Sequence, residues 1–444
     1  MSQPATPHRY VIVGITSMAA LWMYIDRVCL STLADRIQKD LNFDGNDKAW
    51  ILGAFFLAYA VCQLPAGSLA DRFGQRVVLT GCIAAWSLVT ALTGFVQGFL
   101  SLLIVRLLLG IAEAGAYPAA AGLVKNWAMP TERGRFSSFV SLGGRLGGAV
   151  APFITAILAL ALVGWGPPGW TVEHTKTVTE GGVEYTETEV LNWRGVFVFF
   201  GACGLLVAAG FWFIVRNHPP GHESYTSAPK PRRPILEQLA VLVQSRNMFL
   251  FALVQFAVNV SWAPLVTLLP TYLNESFGTP LKEIGAMQST ALFIGCGGML
   301  LGGFVTDALH KRFGPRWGRS IPVCAAKAVC VVLCCLVPQM DSAWNAIFVL
   351  GAMAFMVDLG NPSIWAFAQD VGGKNVGAAL GWGNMFGNLG AFASPIVLTV
   401  VKDRFGWNAA FFVCAGCFAV ASVAGFLLNA GRTLDDHRPE SRND

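Results

Sequence analysis

Twelve apolar runs long enough to cross a bilayer follow one another near residues 10–33, 49–70, 77–96, 100–124, 137–163, 194–215, 248–273, 285–305, 321–338, 344–368, 376–401 and 407–429. A hydrocarbon core about 30 Å thick is spanned by roughly 20 helical residues. Lipid offers no hydrogen bonds to a bare backbone, so runs of this kind cross it as helices. Of 444 residues, 54% are apolar and 13% charged, and the mean hydropathy is +0.54. That leaves too little polar surface for a water-soluble globule. The expected fold class is an all-α membrane protein with twelve transmembrane helices.

Lys and Arg favour the cytoplasmic ends of short loops, and here they gather in alternate loops. Arg72 and Arg76 are followed by Arg133 and Arg135, then by Arg216, Lys230, Arg232 and Arg233, then by Lys311, Arg312, Arg316 and Arg319. Segment 164–193 instead carries Glu173, Glu180, Glu184, Glu187 and Glu189 against Lys176. Both termini are therefore expected in the cytoplasm and the acidic loop outside. The first span follows nine mostly polar residues and precedes no small-residue cleavage site, so it is expected to be retained. Eleven cysteines, among them Cys324, Cys330, Cys334 and Cys335, lie mostly in apolar runs and lack metal-ligand or disulfide spacing.

Segment 216–247 begins RNHPPGHESYTSAPKPRRPILEQLA, rich in proline and charge, and reads as a cytoplasmic linker between 1–215 and 248–444. A related phrase follows the second span of each part, GSLADRFGQR at 67–76 and GGFVTDALHKRFGPR at 302–316. Its glycines permit close helix approach, and Asp71 or Asp307 can accept hydrogen bonds at a helix end. The repeat predicts two six-helix halves that rock against each other.

Ionisable residues inside a span point to function by default, because hydrocarbon disfavours them. The first span holds Tyr24, Asp26 and Arg27, and the fourth holds Arg106 and Glu113. Asp26 and Arg27 are adjacent and point about 100° apart around a helix, so one can face a cavity while the other meets a neighbouring helix. Arg106 and Glu113 are seven apart and share one stripe. Two readings stand: a buried network that only fixes packing, or an arginine that binds a carboxylate while Asp26 and Glu113 exchange protons. A buried ion pair returns little net stability, which weakens the first. The planar donor fork of arginine suits the second.

Tyr24 and Tyr59 offer hydroxyls to the same anion or serve as core aromatics. Asn384 and Asn388 are four apart on one face, a spacing suited to sugar-acid hydroxyls. Trp365 reads as a flat wall or as packing. Arg145 interrupts the glycine-rich FSSFVSLGGRLGGAVAP at 136–152, either as a second cationic contact for a larger or doubly acidic substrate, or snorkelling, or paired with a carboxylate. Asp358 is either a proton site or the partner of Arg145.

Several strings resemble the major facilitator superfamily, and within it the anion:cation symporters that carry galactonate, hexuronate, glucarate and phthalate, with the sialin-like proteins. They are YIDRVCLS at 24–31, GAFFLAYAVCQLPAGSLADRFGQR at 53–76, RLLLGIAEAGAYPAA at 106–120, LLPTYL at 268–273 and GWGNMFGNLGAFASP at 381–395. The likeness covers nearly the whole chain except segment 164–193. It implies the major facilitator fold and proton-coupled symport of an organic anion such as a sugar acid. Anion exchange or sodium coupling is the alternative. It also implies roles: Arg27 for the substrate, Asp26 and Glu113 for protons, and Arg106 as a counter-ion that positions Glu113, with Tyr59 beside them. No enzyme, cofactor, metal or nucleic-acid partner is expected. The expected partners are the anion, protons and the lipid bilayer, with a monomer functional in a cell membrane such as the bacterial inner membrane.

Overall fold

The computed structural model describes residues 8–180, 183–219, 235–279 and 281–434. Residues 220–234 and the tail from 435 lie outside the described residues. The chain begins with α1 (His8–Asp40), α2 (Gly45–Phe73) and α3 (Gln75–Thr93). The fourth span is made of two helices, α4 (Phe99–Glu113) and α5 (Ala116–Trp127), and breaks directly after Glu113. Next come α6 (Arg133–Ala161), strands β1 (Val172–Glu180) and β2 (Val183–Leu191), and α7 (Trp193–Ile214). A short α8 (Ile235–Gln244) falls within the linker segment. Span seven is broken into α9 (Arg246–Trp262), α10 (Pro264–Thr267) and α11 (Leu269–Phe277), with Pro264 and Pro270 in the first turns of the new pieces. The chain closes with α12 (Leu281–Leu336), α13 (Ala343–Val371) and α14 (Val376–Leu427).

Nine helical stretches among the described residues are long and apolar enough to cross a membrane. Two of them, in α12 and α14, pass through Gly314 (φ 74°) and Gly406 (φ 81°), a backbone region that a β-carbon disfavours. Each is thus two spans joined by a turn. With the broken seventh span added, the architecture is consistent with twelve crossings. Leu206 is 74% and Phe213 81% exposed on α7. Large bare apolar side chains of this kind suit lipid rather than water, and the molecule is a multi-pass membrane protein.

Segment 164–193 departs from an all-helical expectation. Strands β1 and β2 pair antiparallel, from Val172 opposite Leu191 to Glu180 opposite Val183. The local sequence TVEHTKTVTE and VEYTETEVL is rich in β-branched Val and Thr, residues that favour strands, with Gly181 and Gly182 between the two runs.

At the end that carries the basic loops, the halves are locked together. Asp71 accepts hydrogen bonds from the backbone of Gly377 and Ala378 at 2.9 Å each, at the start of α14. Asp307 accepts from the backbone of Gly134 (2.9 Å) and Arg135 (3.1 Å), at the start of α6. Each aspartate of the repeated phrase therefore caps a helix of the opposite half, where free N–H groups and the helix dipole favour an anion. Arg319 Nε donates to Asp370 at 2.8 Å, and Arg133 pairs with the same carboxylate. Helices α2 and α14 cross so closely that a β-carbon on Gly67 would lie 2.1 Å from the Gly377 carbonyl oxygen.

Candidate functional site

A cavity of about 180 Å³ lies between the halves, bordered by residues of both. Tyr24, Arg27, Tyr59, Arg145, Trp365, Asn384 and Asn388 all line it. Five separate spans bring them there, because each presents its polar residues on the one face turned away from lipid.

Arg27 is the most heavily engaged. Its Nη2 and Nε donate to Glu113 Oε2 at 2.7 and 3.1 Å. Its guanidinium carbon lies 4.8 Å from the Tyr24 ring centre and 4.7 Å from those of Phe55 and Tyr59. Aromatic faces stabilise a cation that has been stripped of water. Glu113 is fully buried, with Oε1 lacking a hydrogen-bond partner among the described residues.

Asp26 points away from the cavity, is 1% exposed, and has no hydrogen-bond partner on either carboxyl oxygen among the described residues. An ionised carboxylate in such a place would lack compensation. Arg106 is also buried, with Nε unpartnered and its guanidinium 5.8 Å from the Phe55 ring centre. The expected pairing of Arg106 with Glu113 is absent from the described residues; Arg27 holds Glu113 instead. Seven residues put the two on one stripe but about 10 Å apart along the axis, whereas α1 faces Glu113 directly.

Arg145 Nη2 donates to Asp358 Oδ1 at 2.6 Å, which ties α6 to α13 across the cavity. Its guanidinium lies 4.6 Å from the Trp262 ring centre, and Asn361 Nδ2 donates to the same Asp358 oxygen at 3.2 Å. Of the readings open for Arg145 and Asp358, carboxylate pairing is the one observed.

The second half otherwise offers amides. Gln255 Nε2 donates to Asn384 Oδ1 at 3.3 Å, Asn259 Nδ2 to the Gln255 carbonyl at 2.8 Å, and Asn388 Nδ2 to the Asn384 carbonyl at 2.8 Å. From the first half, Gln63 lines the cavity with both amide atoms buried and without a hydrogen-bond partner among the described residues. Tyr117 meets Trp365 edge-on, with ring centres 5.1 Å apart. Gln63, Tyr117, Gln255, Asn259, Trp262 and Asn361 are the lining residues that sequence reasoning passed over. Spacing carried a signal for them: Gln63 follows Tyr59 by four, Asn361 precedes Trp365 by four, and Gln255 and Asn259 are four apart.

Residues 16–395 match the model of the Major Facilitator Superfamily. The chain is 27% identical over 438 residues to a probable sulfoacetate transporter, SauU, of Cupriavidus necator, covering 96% of this chain and 95% of that one. It is 27% identical over 434 residues to a probable L-galactonate transporter of Escherichia coli K12, covering 95% of this chain and 89% of that one. The solved structure of the E. coli fucose:proton symporter FucP superposes with a TM-score of 0.72 at 16% identity, over 96% of this chain and all of that chain. A match over most of the chain, on a fold of apolar helices in two halves, leaves one family: this protein is no enzyme but a transporter of the Major Facilitator Superfamily.

Proposed function

We propose that the protein takes up an organic anion of the sugar-acid kind together with protons, as a secondary active transporter working by alternating access. The observation that carries this reading is the Arg27–Glu113 ion pair on the wall of the cavity between the halves. An arriving carboxylate competes with Glu113 for the guanidinium fork of Arg27. Once displaced, Glu113 is a buried carboxylate without its cation, and it takes up a proton. Substrate and proton thus load together, and neither binding step leaves an unbalanced charge at membrane depth. Asp26, buried and without a hydrogen-bond partner among the described residues, relays that same proton to and from Glu113. Arg106 keeps positive potential beside both acids. The amides of Gln255, Asn384 and Asn388 meet the substrate hydroxyls.

The halves 1–215 and 248–444 rock about this cavity, joined by the linker 216–247. Both termini and the basic loops face the cytoplasm of a cell whose plasma membrane holds the protein as a functional monomer. The Asp71 and Asp307 caps then close the cavity on its cytoplasmic side. Cysteine labelling checks the orientation: residues 179 and 230 are expected on opposite sides, and labelling from the same side would contradict it. Function is tested by uptake of labelled sugar acids and aromatic acids into proteoliposomes under an imposed pH gradient, inside alkaline. Accumulation driven by that gradient is expected. Uptake that follows sodium, or that needs a counter-anion inside, would replace the proton with one of those couplings.

A further inference from the structure

Arg145 and Asp358 repeat, from the other side of the cavity, the arrangement made by Arg27 and Glu113. Glu113 and Asp358 sit near the middle of corresponding fourth spans of the two halves, Phe99–Trp127 and Ala343–Val371, each 29 residues long. Each carboxylate is buried, and each accepts from an arginine that lines the cavity, at 2.7 and 2.6 Å. In both pairs the arginine stands in front and the acid behind: side-chain exposure is 14% against 0% for the first and 22% against 3% for the second. Among the described residues, Arg145 reaches Asp358 through Nη2 alone. The rest of its donor fork is left for a ligand.

Other groups face the two acids. Around Asp358 these are Asn361 on the same helix, Cys296, and Lys327, which is wholly buried on α12 with Nζ on the Val357 carbonyl at 2.9 Å. Around Glu113 they are Arg106 and Asp26 beside Arg27. Each arginine–acid pair is neutral as it stands. A substrate with one acid group satisfies one arginine and leaves the other pair closed.

We propose that Arg145 is a second acid-binding group, that the preferred substrates are small acids with an anionic group at each end, and that Asp358 takes a proton from the outer medium when the second anionic group displaces it from Arg145. This rests on the function proposed above. A dianion with two protons keeps the cavity neutral, whereas a dianion with one would leave a net charge where desolvation is severe. The Arg145–Asp358 pair also ties α6 to α13, so its displacement by a diacid releases a link between the halves that a monoacid leaves in place.

Glucarate and gluconate share a six-carbon polyhydroxy chain and differ in having two carboxylates or one. Their uptake into proteoliposomes, with protons per acid read from the pH gradient that just balances a known acid gradient, tests the proposal. The intact protein is expected to prefer glucarate by about tenfold or more in kcat/KM, with about two protons per glucarate and about one per gluconate. Arg145→Gln is expected to collapse the preference to about threefold or less, and Asp358→Asn to remove one proton per glucarate. Because either single change leaves a buried charge alone, the double variant Arg145→Gln/Asp358→Asn, which leaves none, carries the test if the single variants fail to fold. Proton-driven uptake of both acids with no preference in the intact protein, or an undiminished preference in the double variant, would overturn this inference alone. Uptake of neither acid would overturn the proposed function and this inference with it.

Discussion

The two walls of the cavity are built on different chemistry. The wall from the first half concentrates charge: Arg27 sits among Tyr24, Phe55 and Tyr59 and holds Glu113, with Arg106 and Asp26 buried behind. The second half presents amides from Gln255, Asn259, Asn384 and Asn388, with Asp358 as its one acid among the described lining and near-lining residues. Charge attracts an anion strongly but reads little of its shape, whereas amides are directional and reject a ligand lacking the right hydroxyl. On the function proposed above, the difference gives energy and coupling to the first half and selectivity to the second.

The largest effect is expected from the charged wall. Arg27→Ala removes a bidentate partner and leaves Glu113 buried without a cation, a change of about 3–5 kcal/mol. Organic-anion binding by the purified protein should fall beyond detection while the protein still folds, with some loss of thermal stability. Near-normal affinity would remove Arg27 from the substrate site. Arg27→Lys should sit between, since a point charge replaces a planar fork.

Neutralising the acids separates binding from coupling. Glu113→Gln and Asp26→Asn should each abolish accumulation against a gradient while leaving exchange of internal for external substrate, because exchange needs no net proton release. If both variants concentrate substrate to the level of the unmodified protein under the same pH gradient, the protons travel elsewhere. On the amide wall, Asn384→Ala or Gln255→Ala should weaken sugar acids by about 1–2 kcal/mol, roughly tenfold. The same changes should alter an acid of equal size without hydroxyls several-fold less, read as a ratio of inhibition constants. Equal losses for both acids would mean that the second wall reads no hydroxyls.

The smallest effect is expected at the closed end. Asp71→Asn or Asp307→Asn converts charge-assisted caps on the opposite half into neutral ones, about 1 kcal/mol each. Labelling of a cysteine placed in the cavity, from the side of the basic loops, should speed up by a few-fold. Unchanged labelling would show that the glycine crossing and the Arg133–Asp370 pair hold this end shut without the caps.

What could be read from the sequence followed the physics of each feature. Apolar runs of fixed length announce spans, since lipid imposes that length on any sequence. Charges within them announce themselves for the same reason, so Asp26, Arg27, Arg106, Glu113 and Arg145 were visible one at a time. Partners were not: which arginine meets Glu113 depends on how α1 packs on the fourth span, and spacing within one helix favoured Arg106. Gln63, Gln255, Asn259 and Asn361 were hidden because a Gln or Asn inside a span is common enough to pass as packing. Lys327 shows the same limit, a charge inside an apolar run whose surroundings, the Val357 carbonyl and Asp358, come from a helix distant in sequence. The hairpin of β1 and β2 was masked by its acidity, which outweighs the strand preference of its Val and Thr residues.

The coupling proposed for Arg27 and Glu113 can be measured without a membrane. Purified protein in weakly buffered solution near neutral pH is mixed with an acid that the uptake panel identifies as transported, and the solution pH is followed with an indicator dye. Displacing Glu113 from Arg27 raises the proton affinity of Glu113, so the protein should take up protons and the solution should turn more alkaline on binding. Glu113→Gln should diminish that uptake while still binding the acid. Binding of the acid with no proton uptake, or with the same uptake in Glu113→Gln, would contradict the exchange of partners at Arg27.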